Sequence, residues 1–203
     1  MHKEVLNTNQ VELLPLLKDF KREFFLVGGT AIALQIGHRR SIDFDLFKIS
    51  PLKHKAIISK ISNYKFQNVI TRRVTEQLNI TINNVKFTFY QYPFNIPANI
   101  VFEGIVKMPD LINLAAMKAY ALGRRSKWKD YVDLFFLIKH HFSISEISAK
   151  ANEFFNDMFS EKLFRAQLSY FEDIDYHEQV EYMAPPIPEE EIKAFLIEQA
   201  TDW

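Results

Sequence analysis

The run Phe24-Phe-Leu-Val-Gly-Gly-Thr-Ala-Ile-Ala-Leu-Gln-Ile-Gly-His-Arg-Arg-Ser-Ile-Asp-Phe-Asp-Leu-Phe47 constrains this chain more than any other stretch. It opens with four apolar residues, Phe24 to Val27, of the length and composition of a buried strand. Gly28-Gly29 breaks that strand, and a helical pattern follows from Thr30 to about Ile36. A second strand-like run, Ser41 to Phe47, alternates Asp43 and Asp45 with Ile42, Phe44 and Leu46. Strand side chains repeat every two residues, so both carboxylates are expected on one face. Two carboxylates beside a glycine turn that opens a helix suit a divalent cation and a phosphate chain.

Composition narrows the setting. Lys plus Arg and Asp plus Glu are both 25, so no overall basic excess advertises non-specific nucleic-acid binding. Apolar residues make up 48% of the 203, Phe alone contributing 19, which is enough for a sizeable core. The absence of cysteine excludes disulfides and Cys-ligated zinc. The N-terminus does not read as a signal peptide, and no apolar run approaches the roughly 20 residues of a membrane span. A cytoplasmic protein with no membrane partner is the expectation.

The remaining chain divides by period. Residues 9–20 read as one amphipathic helix despite Pro15. Ser50-Pro51 reads as the start of a helix reaching about Ser62. Period two then rules: 66–74, 77–82 and 85–92 read as three strands, with Asn83-Asn84 as a tight hairpin turn. Residues 105–107 could add a short edge strand. From Asp110 onward the pattern is helical: one helix closing at Gly123, a second from about Lys127, a third capped by Ser145, a fourth over 161–171 and a last from Glu189 after a Pro-rich linker. The expected architecture is α/β (α+β): a small mixed sheet flanked by helices over residues 1–107, then a helical region, 108–203, completing a cleft.

Glycines let a backbone approach a phosphate closely, and a helix N-terminus favours negative charge. Mg²⁺ commonly takes one or two protein carboxylates and completes its shell with substrate phosphates. Gly28, Gly29, Thr30 and Ser41 are therefore nucleotide-binding candidates, and Asp43 and Asp45 are metal candidates. Arg39 and Arg40 could sit in a solvated loop, or pair with the aspartates or with phosphates. No Gly-Lys-Ser/Thr follows the glycines, so the stretch is not a P-loop. The blander reading of Gly28-Gly29 is a tight turn, and that of the aspartates is a solvated strand face.

The block Val27 to Phe47 closely resembles the signature of the AbiEii/AbiGii-type nucleotidyltransferases: Gly-Gly-Thr-Ala, then Gly-His-Arg-x-Ser, then Asp-x-Asp. These are toxins of bacterial abortive-infection and type IV toxin–antitoxin systems, within the DNA polymerase beta-like nucleotidyltransferase superfamily. The resemblance continues over Leu111 to Leu134, where the family's helix lysine, arginine and Asp-x-x-Asp fall on Lys118, Arg124 or Arg125, Asp130 and Asp133. It implies a nucleotidyltransferase fold. It also implies Mg²⁺- or Mn²⁺-dependent transfer of a nucleoside monophosphate from an NTP to an RNA (tRNA-like) or protein acceptor, and an antitoxin as possible partner. Asp43, Asp45, Lys118, Asp130 and Asp133 would be the catalytic set, with Lys118 also binding nucleotide. Read from its helix alone, Lys118 either snorkels or has a buried anionic partner, and Asp130 and Asp133 could simply pair with Lys127 and Lys129.

One departure stands out. Many polymerase beta-like transferases carry a third carboxylate on a later strand, as general base. Thr88 stands at that place here, and Val85 to Phe94 contains no acid. Asp133 or Asp130 then becomes the base, or the chain is a catalytically weak nucleotide-binding or antitoxin-bound module.

Overall fold

A computed structural model describes residues 1–202. The chain divides into two compact units, Met1–Asp110 and Leu111 onward.

The first unit begins with α1 (Thr8–Glu12) and α2 (Leu14–Asp19). These replace the single helix expected over 9–20. Pro15 lacks an N–H, so it sits in the first turn of a new helix rather than inside a continuous one. A reciprocal capping box between Asn7 and Gln10 starts α1. Then come β1 (Phe25–Val27), α3 (Gly28–Ile36), β2 (Phe44–Lys48) and α4 (His54–Ser62). α3 absorbs both glycines in its first turn and closes on Gly37, whose φ of 67° is the left-handed conformation of a helix end. α4 starts three residues later than expected and lacks a side-chain cap, so Ser50-Pro51 lies outside it.

β3 (Asn68–Val74), β4 (Gln77–Ile82) and β5 (Val85–Gln91) fall where strands are expected; β4 and β5 alternate in burial, whereas β3 is exposed throughout. Asn83 and Asn84 join the last two with φ of 47° and 62°, the two positive values a two-residue hairpin turn demands. β6 (Ile100–Phe102) and β7 (Val106–Met108) form a second hairpin over Glu103-Gly104, also at positive φ. The strands make one sheet in the order β3-β4-β5-β2-β1-β7-β6. The short strand expected near 105–107 is therefore not an edge. β7 pairs with β1 in parallel, and β6, which carries no alternation long enough to read, is the edge. β2 pairs antiparallel with β1 and parallel with β5, so the sheet is mixed, as expected.

Alternation decides what each face does. Phe44, Leu46, Leu78, Ile80, Phe87 and Phe89 are buried, while Asp45, Phe47, Asn79, Thr81, Lys86 and Thr88 on the other face are only partly covered. The buried face meets Phe20 and Phe24 edge-on, with ring centroids 4.9 and 5.3 Å from Phe89. Such aromatic edges add to the burial term that holds the unit together.

The second unit is helical: α5 (Leu111–Leu122), α6 (Trp128–His140), α7 (Ile144–Phe155), α8 (Glu161–Leu168) and α9 (Glu189–Thr201). Ser143, not Ser145, caps α7, because Glu146 three residues on completes a capping box with it. Tyr120 stacks on Phe155 at 3.9 Å, and Phe195 meets Phe135 edge-on at 5.1 Å. No helix among the described residues is long and apolar enough to cross a membrane.

Candidate active site

The glycine turn and the acid strand converge because β1 and β2 are hydrogen-bonded neighbours. Their register sets Val27 opposite Asp45. Gly28, the next residue, has φ of 73°, a conformation that side chains rarely adopt. A Cβ on it would stand 2.5 Å from Asp45 Oδ2. Gly28 is thus required twice, by its backbone angle and by the carboxylate lying against it. A Cβ on Gly29 would stand 2.6 Å from the Arg39 guanidinium and 3.0 Å from Ser41 Oγ. The bare first turn of α3 is therefore wrapped by Asp45, Arg39 and Ser41, three residues that the motif supplies from the loop and β2.

That loop is held from behind. The Thr30 hydroxyl donates to the Asp43 carbonyl at 2.5 Å and to the Ser41 carbonyl at 3.3 Å. Gln10 Nε2 donates to the same Ser41 carbonyl at 2.8 Å, and Gln10 is fully buried. Sequence reasoning missed Gln10; its only signal was the Asn7-x-x-Gln10 capping box, which buries the side chain but does not announce a target. Arg39 is 2% exposed and donates to its neighbour's carbonyl, on Arg40, at 2.8 Å. A buried guanidinium thus brings a positive charge to the start of α3.

Asp43 stands one residue before β2, and Asp45 lies within it, so the two share a side of the sheet as alternation requires. Both are partly exposed. Lys86 Nζ lies 3.9 Å from Asp43 Oδ2. In the parallel β2–β5 pair Thr88 is the direct neighbour of Asp45. The place expected for a third acid is occupied by a hydroxyl, with Asn79 of β4 beyond it. Among the described residues no group of three or more His, Cys, Asp or Glu could hold a metal. The donor set that does exist is two hard carboxylates, with Gly28 leaving open the space a Cβ would fill at Asp45. That set fits Mg²⁺ or Mn²⁺, ions that take remaining ligands from water and phosphate oxygens.

The other candidate residues gather within the second unit. Lys118 Nζ lies 2.5 Å from Asp130 Oδ1 and 2.8 Å from Asp133 Oδ2. Lys118 is 5%, Asp130 2% and Asp133 0% exposed. Arg125 adds two bonds to Asp130, at 2.8 and 3.2 Å. Burial alone pushes the Asp130 carboxyl up, but Lys118 and Arg125 together outweigh it and hold the group below the usual carboxylate range. Asp130 and Asp133 do not pair with Lys127 and Lys129, which reach Glu178 instead. The segment carrying Arg125 is fixed by a bridge between Lys127 and Asp175. Arg124 turns away from this cluster, lying over the Tyr120 ring at 3.5 Å.

A glycine-led helix wrapped by a buried arginine thus stands beside two carboxylates that alternate along the adjacent strand of a mixed sheet. The family described as "Nucleotidyl transferase AbiEii toxin, Type IV TA system" matches residues 16–105 and 95–202. An uncharacterized protein of Aquifex aeolicus (strain VF5) is 30% identical over 160 residues, which span 74% of this chain and 75% of that one. MenT4, a nucleotidyltransferase toxin from Mycobacterium tuberculosis H37Rv, superposes with a TM-score of 0.64 at 14% identity, covering 95% of this chain and 82% of its own. JHP933 from Helicobacter pylori gives 0.57 at 17% identity, covering 98% and 90%. At these identities the two structures establish a shared fold. The chain belongs to the AbiEii nucleotidyltransferase toxin family of type IV toxin–antitoxin systems. Membership brings a nucleotide substrate and an antitoxin as partner.

Proposed function

We propose that the protein moves a nucleoside monophosphate from an NTP to an acceptor hydroxyl, with an RNA end as acceptor rather than a protein, and that Asp43 and Asp45 hold the required Mg²⁺ or Mn²⁺. The observation that supports this reading most is the approach of Asp45 Oδ2 to the bare face of Gly28, which sets a carboxylate beside the glycine turn. The N–H groups of the first α3 turn, with Thr30 and Ser41 beside them, would receive the triphosphate. Arg39 and Arg40 supply positive charge to the same corner.

A bound Mg²⁺ would neutralise charge on the transferring group and its pyrophosphate. The acceptor oxygen then bonds to the α-phosphorus as the bond to the bridging oxygen breaks. Thr30 and Gln10, by holding the carbonyls of Ser41 and Asp43, keep the two acids at a fixed spacing from the glycine turn. Lys118, Asp130 and Asp133, the other residues expected to be catalytic, form a buried ion cluster of the second unit, to which we assign a structural role. The two acids hold the Lys118 ammonium, and the proton of the acceptor hydroxyl passes to water.

The test is incubation with each labelled NTP, Mg²⁺ and cellular RNA. Label should pass to RNA, and Asp43→Ala and Asp45→Ala should abolish it while leaving the fold intact by circular dichroism. Absence of any label transfer with all four nucleotides would overturn the reading. NTP binding indifferent to Mg²⁺ would instead mark a binding module.

A further inference from the structure

The register of the sheet places more than the two acids on its partly covered face. Directly paired strand residues share a face, and the successive pairs Asp45–Thr88, Thr88–Asn79 and Asn79–Arg72 form one row across four strands. Thr81 and Lys86 are paired one step along, and Lys86 reaches back to Asp43 at 3.9 Å. Gln77 donates to Asn79 at 2.9 Å on the same face. The row on the other side of Asp45 is aromatic. Phe47 is the neighbour of Tyr90, their rings meeting edge-on at 5.2 Å, and Tyr92 lies 5.0 Å from Phe47. The face thus carries hydrogen-bonding side chains that end at a cation, Arg72, with rings alongside. With strands about 4.8 Å apart, Arg72 lies roughly 14 Å from Asp45.

We propose that this face is the acceptor track of the first unit. A single-stranded polynucleotide would lie across β5, β4 and β3, its phosphates met by Lys86 and Arg72 and a base against Tyr90, so that its end arrives at Asp43 and Asp45. The purpose of the track rests on the transfer reading above. Charge complementarity favours a polyanion, and half-buried rings beside cations suit stacked bases. The edge itself disfavours a protein strand. β3 is exposed along its length, yet its ladder slips between Ile70 and Arg72, and a bulge of this kind blunts strand addition.

The sheet supplies its own control. Arg73 follows Arg72 on the same exposed strand but is paired with Leu78, on the opposite face. Binding of a short fluorescein-labelled single-stranded RNA to the full chain, followed by anisotropy across a salt series, separates the two. Arg72→Ala should weaken binding about fivefold and reduce the salt slope by about 0.7, the value for one lost phosphate contact on a single strand. Arg73→Ala should leave both unchanged. Tyr90→Leu, which keeps an apolar partner for Phe47, should cost about tenfold through lost stacking. Equal effects of the two arginine variants, no effect of either, or no RNA binding by the parent chain would overturn the assignment. So would Arg72-dependent binding of a polyglutamate peptide as tight as that of RNA, which would mark a protein partner. Because binding is read without turnover, a failed transfer assay with an intact Arg72 effect would count against the reaction and not against the track.

Discussion

Asp43 and Asp45 stand partly exposed where β2 begins, with Lys86 3.9 Å from the first and the bare Cα of Gly28 against the second. Asp130 and Asp133 are buried, with one lysine 2.5 and 2.8 Å away and an arginine closing over Asp130. The residue types are the same, and the surroundings are opposite. A buried acid is tolerable only when a cation and hydrogen bonds replace its water. The helical cluster meets that condition with Lys118 and Arg125, whose charges its two acids balance. The sheet acids keep solvent access and crowd a glycine turn, which is what a site awaiting a cation and phosphates requires. The first pair is therefore expected to respond to ligand, and the second to set the stability of its own unit.

Substitutions should separate the two groups. Asp43→Ala and Asp45→Ala should lower transfer by about a thousandfold or more, since each removes a carboxylate proposed to hold the metal. Neither should move the melting temperature by more than a few degrees. The inverse holds for the cluster. Asp133→Ala leaves Lys118 short of a partner in a buried setting and should cost about 3–5 kcal/mol, read as a fall in the denaturant midpoint. An Asp133→Ala protein as stable as the parent would break the distinction.

Gly28→Ala comes next in size. Strain at φ of 73° should cost on the order of 1–3 kcal/mol. The new Cβ must also push the Asp45 carboxylate aside, so transfer should fall further than stability does. If activity fell only in proportion to the unfolded fraction, the close approach would have no functional weight. Thr30→Val should be milder, about 1 kcal/mol for the bonds to the Ser41 and Asp43 carbonyls. Its Mg²⁺ requirement for half-maximal rate should rise as the acids lose their support.

The smallest effect is a pH slope. The Asp130 carboxyl is held below its ordinary value of 3.8 in the folded protein. Its contribution is therefore fully present above that value and is lost as pH falls through the lower folded one. Acid unfolding should steepen in that window, and Asp130→Asn should flatten it, as followed by helical circular dichroism. A change at pH 6 to 8 instead would point to a different group.

The sequence carried these contrasts unevenly. Strands β4 and β5 and the Asn83-Asn84 turn were legible because period two and the demand for positive φ are local properties. The break at Pro15 follows from its missing N–H, and the start of α7 at Ser143 turned on which serine completes a capping box, a choice between near-equal local signals. β6 is three residues long, and its place at the edge is set by pairing with β7, which no local pattern encodes. In the site, the motif names Gly28, Asp43 and Asp45, and the position expected for a third acid falls on Thr88, which the register sets beside Asp45. The roles of Gln10, Lys86 and Arg72 were not legible. They meet the loop or the acid face only through long-range pairing. The partner of Lys118 was also hidden. Its helix showed a lysine on a core stripe, and the two acids that explain it lie on the next helix.

The central claim is that the partly exposed acids of β2 form a metal-dependent nucleotide site. Calorimetric titration of NTP into the full chain, with and without Mg²⁺, tests it most directly when repeated on Asp45→Asn. The expected result is NTP binding that Mg²⁺ strengthens at least tenfold in the parent protein and no longer strengthens in Asp45→Asn, with the circular dichroism of the two superimposable. Binding of equal strength with and without Mg²⁺, unchanged by Asp45→Asn, would contradict it.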